Sequence, residues 1–165
     1  MPTHRTAPEL QVSEWLNAPE PLSLAALRGK VIVVSVFQML CSGCVHHSIP
    51  LAKQLYESFD PAEVAVLGLH SVFEHHKVMT PAALAVFVRE QGLAFPIGID
   101  KQPEDNGLPL TMRAYQMQGT PTTILIDTEG RLRMQRFGST EAITLAASIG
   151  ILLGEARAAR GNDSV

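Results

Sequence analysis

Cysteine is almost missing from this chain: 165 residues contain two. Small secreted scaffolds that rely on disulfide staples carry several pairs, so the chain is not one of them. At this length a hydrophobic core can hold the fold without them. Positive charge is in deficit too, with thirteen Lys and Arg against sixteen Asp and Glu and a formal charge of −3. No basic field is available to hold a polyanion, so nucleic acid is not expected as a partner. Long apolar runs are lacking. The longest, Val31 to Phe37, already contains Ser35, whereas a membrane-spanning helix needs about twenty apolar residues, so no span is expected. Met1 to Leu10 carries His4, Arg5, Glu9 and two prolines and has no apolar h-region. A cytoplasmic protein is the expectation. Internal repeats, low-complexity tracts and linkers are absent as well. One domain over 1–165 is expected, with an N-terminal arm over 1–20 and a mobile tail over 159–165.

What remains is a chain that is 46% hydrophobic and 18% charged, the composition of a compact globular body. Prolines at 2, 8, 19 and 21 mark an extended arm, with short strands expected at Leu10 to Trp15 and Pro21 to Leu24. A helical turn from Ser23 to Arg28 should stop at Gly29. Val31 to Phe37 is β-branched and apolar on both parities, the signature of a central strand covered on both faces. Val45, Ile49, Ala52, Leu55, Tyr56 and Phe59 recur at spacings of three and four, which predicts a helix from Val45 to Phe59.

Glu63 to Leu69 reads as a second buried strand. Thr80-Pro81 opens a helix, as N-cap and first helical residue, that runs to about Gln91 and stops at Gly92. Phe95 to Ile99 is a short strand and Leu110 to Gln116 a short helix ending near Gly119. Thr122 to Ile126 and Leu132 to Phe137 form a hairpin around Asp127-Thr128-Glu129-Gly130. Thr140 or Ser139 should cap a last helix through about Leu153. The order β-α-β-α-β-α-β-β-α predicts an α/β fold: a central mixed sheet with helices on both faces, closed by a C-terminal β-hairpin plus helix.

The two cysteines stand three apart, as Cys41-Ser42-Gly43-Cys44, between the first core strand and the first turn of a helix. Side chains at that spacing are neighbours on a helix, so a small adjustment brings them to disulfide geometry. Cys41 falls at the helix N-terminus, where free N–H groups and the dipole favour thiolate over thiol. An accessible thiolate with a second thiol one turn on is what disulfide exchange requires, with Cys41 attacking and Cys44 resolving. The rival reading is half of a zinc site, but a structural site needs two more ligands and no second cysteine pair exists.

The run "LSLAALRGKVIVVSVFQMLCSGC" resembles the approach to the active site in thioredoxin-like proteins, particularly TlpA/ResA-type thiol–disulfide oxidoreductases and their redoxin relatives. "MQGTPTTILIDTEGRL" is similar to that family's cis-proline loop and closing hairpin, and the resemblance covers Leu22 to Leu153. It implies a thioredoxin-like fold and an enzyme that exchanges Cys41–Cys44 with protein or small-molecule disulfides. It also implies a cis Thr120–Pro121 bond, a substrate groove shaped by Pro121 with Thr120 beside it, and an electron donor such as a thioredoxin-type reductant. No cofactor and no metal are expected.

Three departures stand out. Leu40 replaces the usual Trp before the first cysteine, and the only tryptophan, Trp15, lies elsewhere. Ser35 stands where thioredoxins proper carry a buried Asp, so no carboxylate base is available there. TlpA-type proteins often use an acidic residue after the second core strand instead, and the matching neighbourhood is His70, Ser71 and Glu74. Peroxiredoxins need a Thr or Ser where this chain has Gln38, which disfavours that chemistry.

His70 closes the second core strand, from which it could accept a proton from Cys44 or steady a Cys41 thiolate as imidazolium. His46, His47, His75 and His76 make up the other histidines near the middle of the chain. A copper- or zinc-binding module using Cys41, Cys44 and one histidine is the alternative to exchange; Sco-like copper proteins share the fold but usually space their cysteines one residue further apart. A peroxiredoxin-like peroxidase is the second alternative. Ser42-Gly43 puts no charge or ring beside Cys41, so a potential of roughly −180 to −270 mV is expected.

Overall fold

The computed structural model describes residues 4–164. Six strands form one mixed sheet: β1 (Val12–Leu16), β2 (Val31–Phe37), β3 (Val64–His70), β4 (Ile97–Asp100), β5 (Thr122–Ile126) and β6 (Leu132–Phe137). Their order is β1-β4-β3-β2-β5-β6. The β2/β3 and β3/β4 pairs are parallel, while β1/β4, β2/β5 and β5/β6 are antiparallel. β2 is central, and every one of its residues is buried, as a run apolar at every position but Ser35 requires.

The alternation of β2 divides the core. Val31, Val33 and Phe37 face one side of the sheet, where they meet α1 (Ile49–Ser58), α2 (Pro81–Glu90) and α4 (Ala142–Asn162). Ile32, Val34 and Val36 face the other, packing with Met112 of α3 (Leu110–Ala114), Tyr115, Leu24 and Leu10. Burying each such aliphatic side chain contributes about 1.5–3 kcal/mol. Ser35, on the first face, is buried and its Oγ has no hydrogen-bond partner among the described residues.

Local sequence accounts for most boundaries. Thr80 Oγ1 accepts from Ala83 N–H at 3.2 Å, and Pro81 opens α2. Gly92, at φ +62, ends it. Gly29, at φ +93, follows a 3₁₀ turn at Ala25–Leu27. In the β5–β6 turn, Asp127 Oδ1 accepts from the Glu129 and Arg131 amides at 3.0 and 2.9 Å. Its Oδ2 meets Arg131 Nε and Arg133 Nη1 at 2.9 and 3.2 Å. Burial pushes the Asp127 pKa up, but these donors outweigh it and the net shift is downward. Arg133 continues to Glu155 on α4, so the network ties hairpin to helix. Asp127→Ala would strand several donors and is expected to cost about 2–4 kcal/mol, read from urea unfolding.

Four expectations are corrected. Pro21 to Leu24 is not a strand: Pro21 offers no N–H, and the Leu24 and Ala25 amides are taken by the Glu9 carboxylate at 2.5 and 3.3 Å. The helix after the cysteines does not start as an α-helix. Cys44–Ser48 is a π-helical turn, with Ile49 N–H donating to Cys44 C=O. Pro50 explains it, because it has no N–H to give and its ring crowds the preceding turn. The last helix is capped by neither Ser139 nor Thr140 but begins after Glu141, and it runs to Asn162 rather than Leu153. Within the stretch 159–165, read as a mobile tail, the helix continues through Asn162, and Val165 lies outside the described residues. Ala156, Arg157, Ala158, Ala159 and Arg160 are strong helix formers, and Arg157 meets Glu63 at 2.8 Å.

The same helix corrects the reading of apolar runs. By length and composition α4 is long and apolar enough to cross a membrane. Thr144, Ser148 and Gly150 interrupt its aliphatic residues, so it contains no long consecutive apolar run. Leu145, Ile149 and Leu152 are packed into the core, while Ile143 and Ile151 are exposed.

Candidate active site

β2 delivers the chain to the cysteines, and the exit of β3 holds it there. Ser71 N–H donates to Phe37 C=O at 3.0 Å. Met39 N–H donates to His70 Nε2 at 3.3 Å. Phe73 N–H donates to Gln38 Oε1 at 3.2 Å. Three consecutive residues ahead of Leu40 and Cys41 are thus fastened to the last residue of β3 and the segment after it. That segment is anchored in turn: Ser71 Oγ donates to Asp100 Oδ2 at 2.7 Å, and the Asp100 carboxylate accepts the Thr111 and Met112 amides at the start of α3.

Cys41 and Cys44 are joined in a disulfide, with Cα atoms 5.2 Å apart. The two differ in exposure. Cys41 is partly exposed, while Cys44 is fully buried among the residues that face α1. The Cys44 N–H points at Cys41 Sγ, 3.2 Å away. An amide donor at the start of a helical segment, aimed at sulfur, favours the thiolate form of that sulfur once the bond is reduced.

The Thr120–Pro121 peptide bond is cis. A Cβ placed on Gly43 would lie 3.4 Å from Pro121 Cδ, so the proline ring rests against the cysteine loop. The Pro121 carbonyl accepts from Gly138 N–H at 2.8 Å, and Thr122 Oγ1 donates to Gly119 C=O at 2.7 Å. Leu40, next to Cys41, is 59% exposed. Cys41, Cys44, Leu40, Thr120 and Pro121 are therefore gathered at one end of the sheet.

His70 does not carry the charge that one of its two expected roles requires. It is 1% exposed, its ring lies 5.2 Å from that of Phe37, and its hydrogen bond runs to Met39 rather than to a sulfur. Burial lowers its pKa to about 4, so at neutral pH the ring is uncharged with Nε2 free to accept. That removes the imidazolium expected to steady a Cys41 thiolate.

Sequence reasoning weighed Gln38 only as an obstacle to peroxidase chemistry. It is 1% exposed, and its Nε2 lies 3.4 Å from Thr120 Oγ1 and 3.5 Å from Glu74 Oε1. The available signal was a long polar side chain directly after an all-apolar strand. His46, His47, His75 and His76 are exposed. Among the described residues no group of three or more His, Cys, Asp or Glu side chains converges as a metal site would require, so the copper or zinc alternative finds no third ligand beside the sulfurs.

A model of the AhpC/TSA family matches residues 3–135. The chain belongs to that family. A crystal structure of a thioredoxin-like superfamily protein is 54% identical, with a TM-score of 0.87 over 90% of this chain and 96% of that one. A thiol-disulfide isomerase from Corynebacterium glutamicum is 50% identical, with a TM-score of 0.85 over 89% and 96%. The fold is thioredoxin-like, as the order of elements and the two motifs imply. Among curated relatives, Protein DipZ of Mycobacterium bovis is 28% identical over 155 residues. The thiol-disulfide oxidoreductase ResA of Bacillus thuringiensis is 27% identical over 117 residues. The chain spans 21% of that DipZ and 60% of that ResA.

Proposed function

We propose that the protein is a thiol–disulfide oxidoreductase that works through a mixed disulfide on Cys41. The observation that carries this reading is the asymmetric pair: a partly exposed Cys41, its sulfur facing an amide donor, joined to a buried Cys44. In the reduced protein the Cys41 thiolate attacks one sulfur of a substrate disulfide. The other substrate sulfur leaves as thiolate and takes a proton. The Cys44 thiolate then attacks Cys41 Sγ and releases the second substrate sulfur. Two electrons pass from the dithiol to the substrate, and the Cys41–Cys44 bond remains. The chain's own sulfurs are the redox group.

Leu40, Thr120 and Pro121 would line the groove for the substrate segment, whose extended backbone could pair beside the cis-proline loop. His70 would act at one remove, by fixing Met39. The names of ResA and of the Corynebacterium isomerase support a disulfide substrate; protein or small-molecule disulfides as that substrate, and a thioredoxin-type reductant to restore the dithiol, are part of the proposal. The cytoplasmic setting expected from the sequence belongs to this proposal too; there the dithiol would predominate and the pair would act as reductant.

Trapping tests the order of events. Cys44→Ser, reduced and mixed with insulin, should accumulate an adduct that mass spectrometry places on Cys41 and that dithiothreitol dissolves. A Cys44→Ser protein that stays unmodified at Cys41 contradicts the proposed roles.

A further inference from the structure

Gln38 joins three segments that share no covalent neighbour. Its backbone carbonyl accepts from Cys41 N–H at 3.2 Å, which shapes the approach to the cysteines. Its Oε1 accepts from Phe73 N–H, and the two hydrogens of Nε2 point toward Glu74 Oε1 and Thr120 Oγ1. A buried primary amide has one acceptor and two donor positions to satisfy, and each of the three meets a different loop partner. Phe73 brings more than its amide. A Cβ on Gly119 would lie 3.1 Å from the Phe137 ring and 4.0 Å from the Phe73 ring. Both rings therefore lie close to Gly119, in the stretch that leads into Thr120 and Pro121.

We infer that Gln38 is a positioning residue for macromolecular substrates: its buried amide holds the Phe73–Glu74 segment and Thr120 together as one fixed rim beside the sulfurs. The inference rests on the exchange reading above. The chemistry of the sulfurs does not need the rim, because a small disulfide requires only an accessible Cys41. A protein disulfide must also seat its flanking backbone and side chains against Phe73, Glu74 and Thr120. A rim whose parts move independently would have to be ordered at each encounter, which raises KM rather than slowing the sulfur step.

The test compares two substrates, insulin and 2-hydroxyethyl disulfide, with dithiothreitol-reduced protein. Gln38→Glu keeps the size and the acceptor for Phe73 N–H but sets a carboxylate against the Glu74 carboxylate, while the Thr120 hydroxyl can turn to donate to it. Gln38→Leu removes all three partners. Thr120→Val approaches the same contact from the other side and leaves Gln38 in place. For both Gln38 variants the expected result is a KM for insulin raised about tenfold, with kcat and the rate with 2-hydroxyethyl disulfide changed less than about twofold. Thr120→Val should raise the insulin KM as well, and adding it to Gln38→Leu should raise it little further, because Gln38→Leu has already removed the Gln38–Thr120 contact. An unchanged insulin KM in Gln38→Glu overturns the inference. So does an equal fall with both substrates, which would mean that Gln38 acts on the sulfurs or on the fold alone. Wild-type protein that turns over neither substrate overturns the exchange reading itself.

Discussion

Cys41→Ser is expected to abolish insulin reduction, lowering the rate on the order of 10³-fold or more, to the level of dithiothreitol alone. The size of the effect follows from chemistry. A serine hydroxyl is far less acidic than a thiol, and the amide of Cys44 that favours a thiolate at 3.2 Å cannot make a serine alkoxide available at neutral pH. Nor can the buried Cys44 take over, because it is fully enclosed in the core and no substrate sulfur can line up behind it. Cys44→Ser should part company with Cys41→Ser. Its first attack should proceed at a rate comparable to wild type, after which turnover stops at the mixed disulfide. Stopped-flow single turnovers separate the two. Equal first-step rates in wild type and Cys41→Ser would contradict the assignment.

The second large effect is on stability in acid. The His70 pKa falls from its ordinary value of 6.5 to about 4 because the ring is buried. The folded protein therefore binds fewer protons than the unfolded chain between those values. Stability from keeping His70 neutral is complete above about pH 6.5 and is lost progressively as pH falls toward 4. Over that window the loss is roughly 3 kcal/mol. Protonation would also turn Nε2 from an acceptor into a donor facing Met39 N–H, so the approach to Cys41 should loosen as the protein weakens. His70→Gln offers a neutral acceptor with no proton to gain. Urea unfolding at a series of pH values should show a steep decline between 6.5 and 4 for wild type and a flatter one for His70→Gln. Parallel curves would show that His70 is not the group responsible.

Much of this arrangement was readable from residue pattern alone. Val31 to Phe37 reads as a covered strand from its β-branched, almost wholly apolar run, and the Cys41–Cys44 spacing beyond it suits disulfide exchange where the chain turns into a helix. Asp127 to Gly130 carried its own turn chemistry. Apart from the π-helical turn ahead of Pro50, the features that escaped reading depend on long-range packing. Nothing local distinguishes Pro21 to Leu24 as a strand from a turn until Glu9, distant along the chain, claims its amides. The extension of α4 past Leu153 is steadied by Arg157 reaching Glu63 and by Arg133 reaching Glu155. His70 looked like a reactive group because its charge state depends on burial, which sequence spacing does not report. Gln38 is the same case: its role comes from Phe73, Glu74 and Thr120 meeting around it, residues from two loops that only the sheet order β3-β2-β5 brings to one place.

The measurement that tests the account most directly is an equilibrium redox titration of the metal-free protein in glutathione and dithiothreitol buffers, following the Cys41 and Cys44 thiols by alkylation and mass. The account predicts a single two-electron transition in which both thiols appear together, with a midpoint of roughly −180 to −270 mV. A pair that never closes in these buffers, or that closes and opens without a shared midpoint for the two cysteines, would contradict a working dithiol at this site.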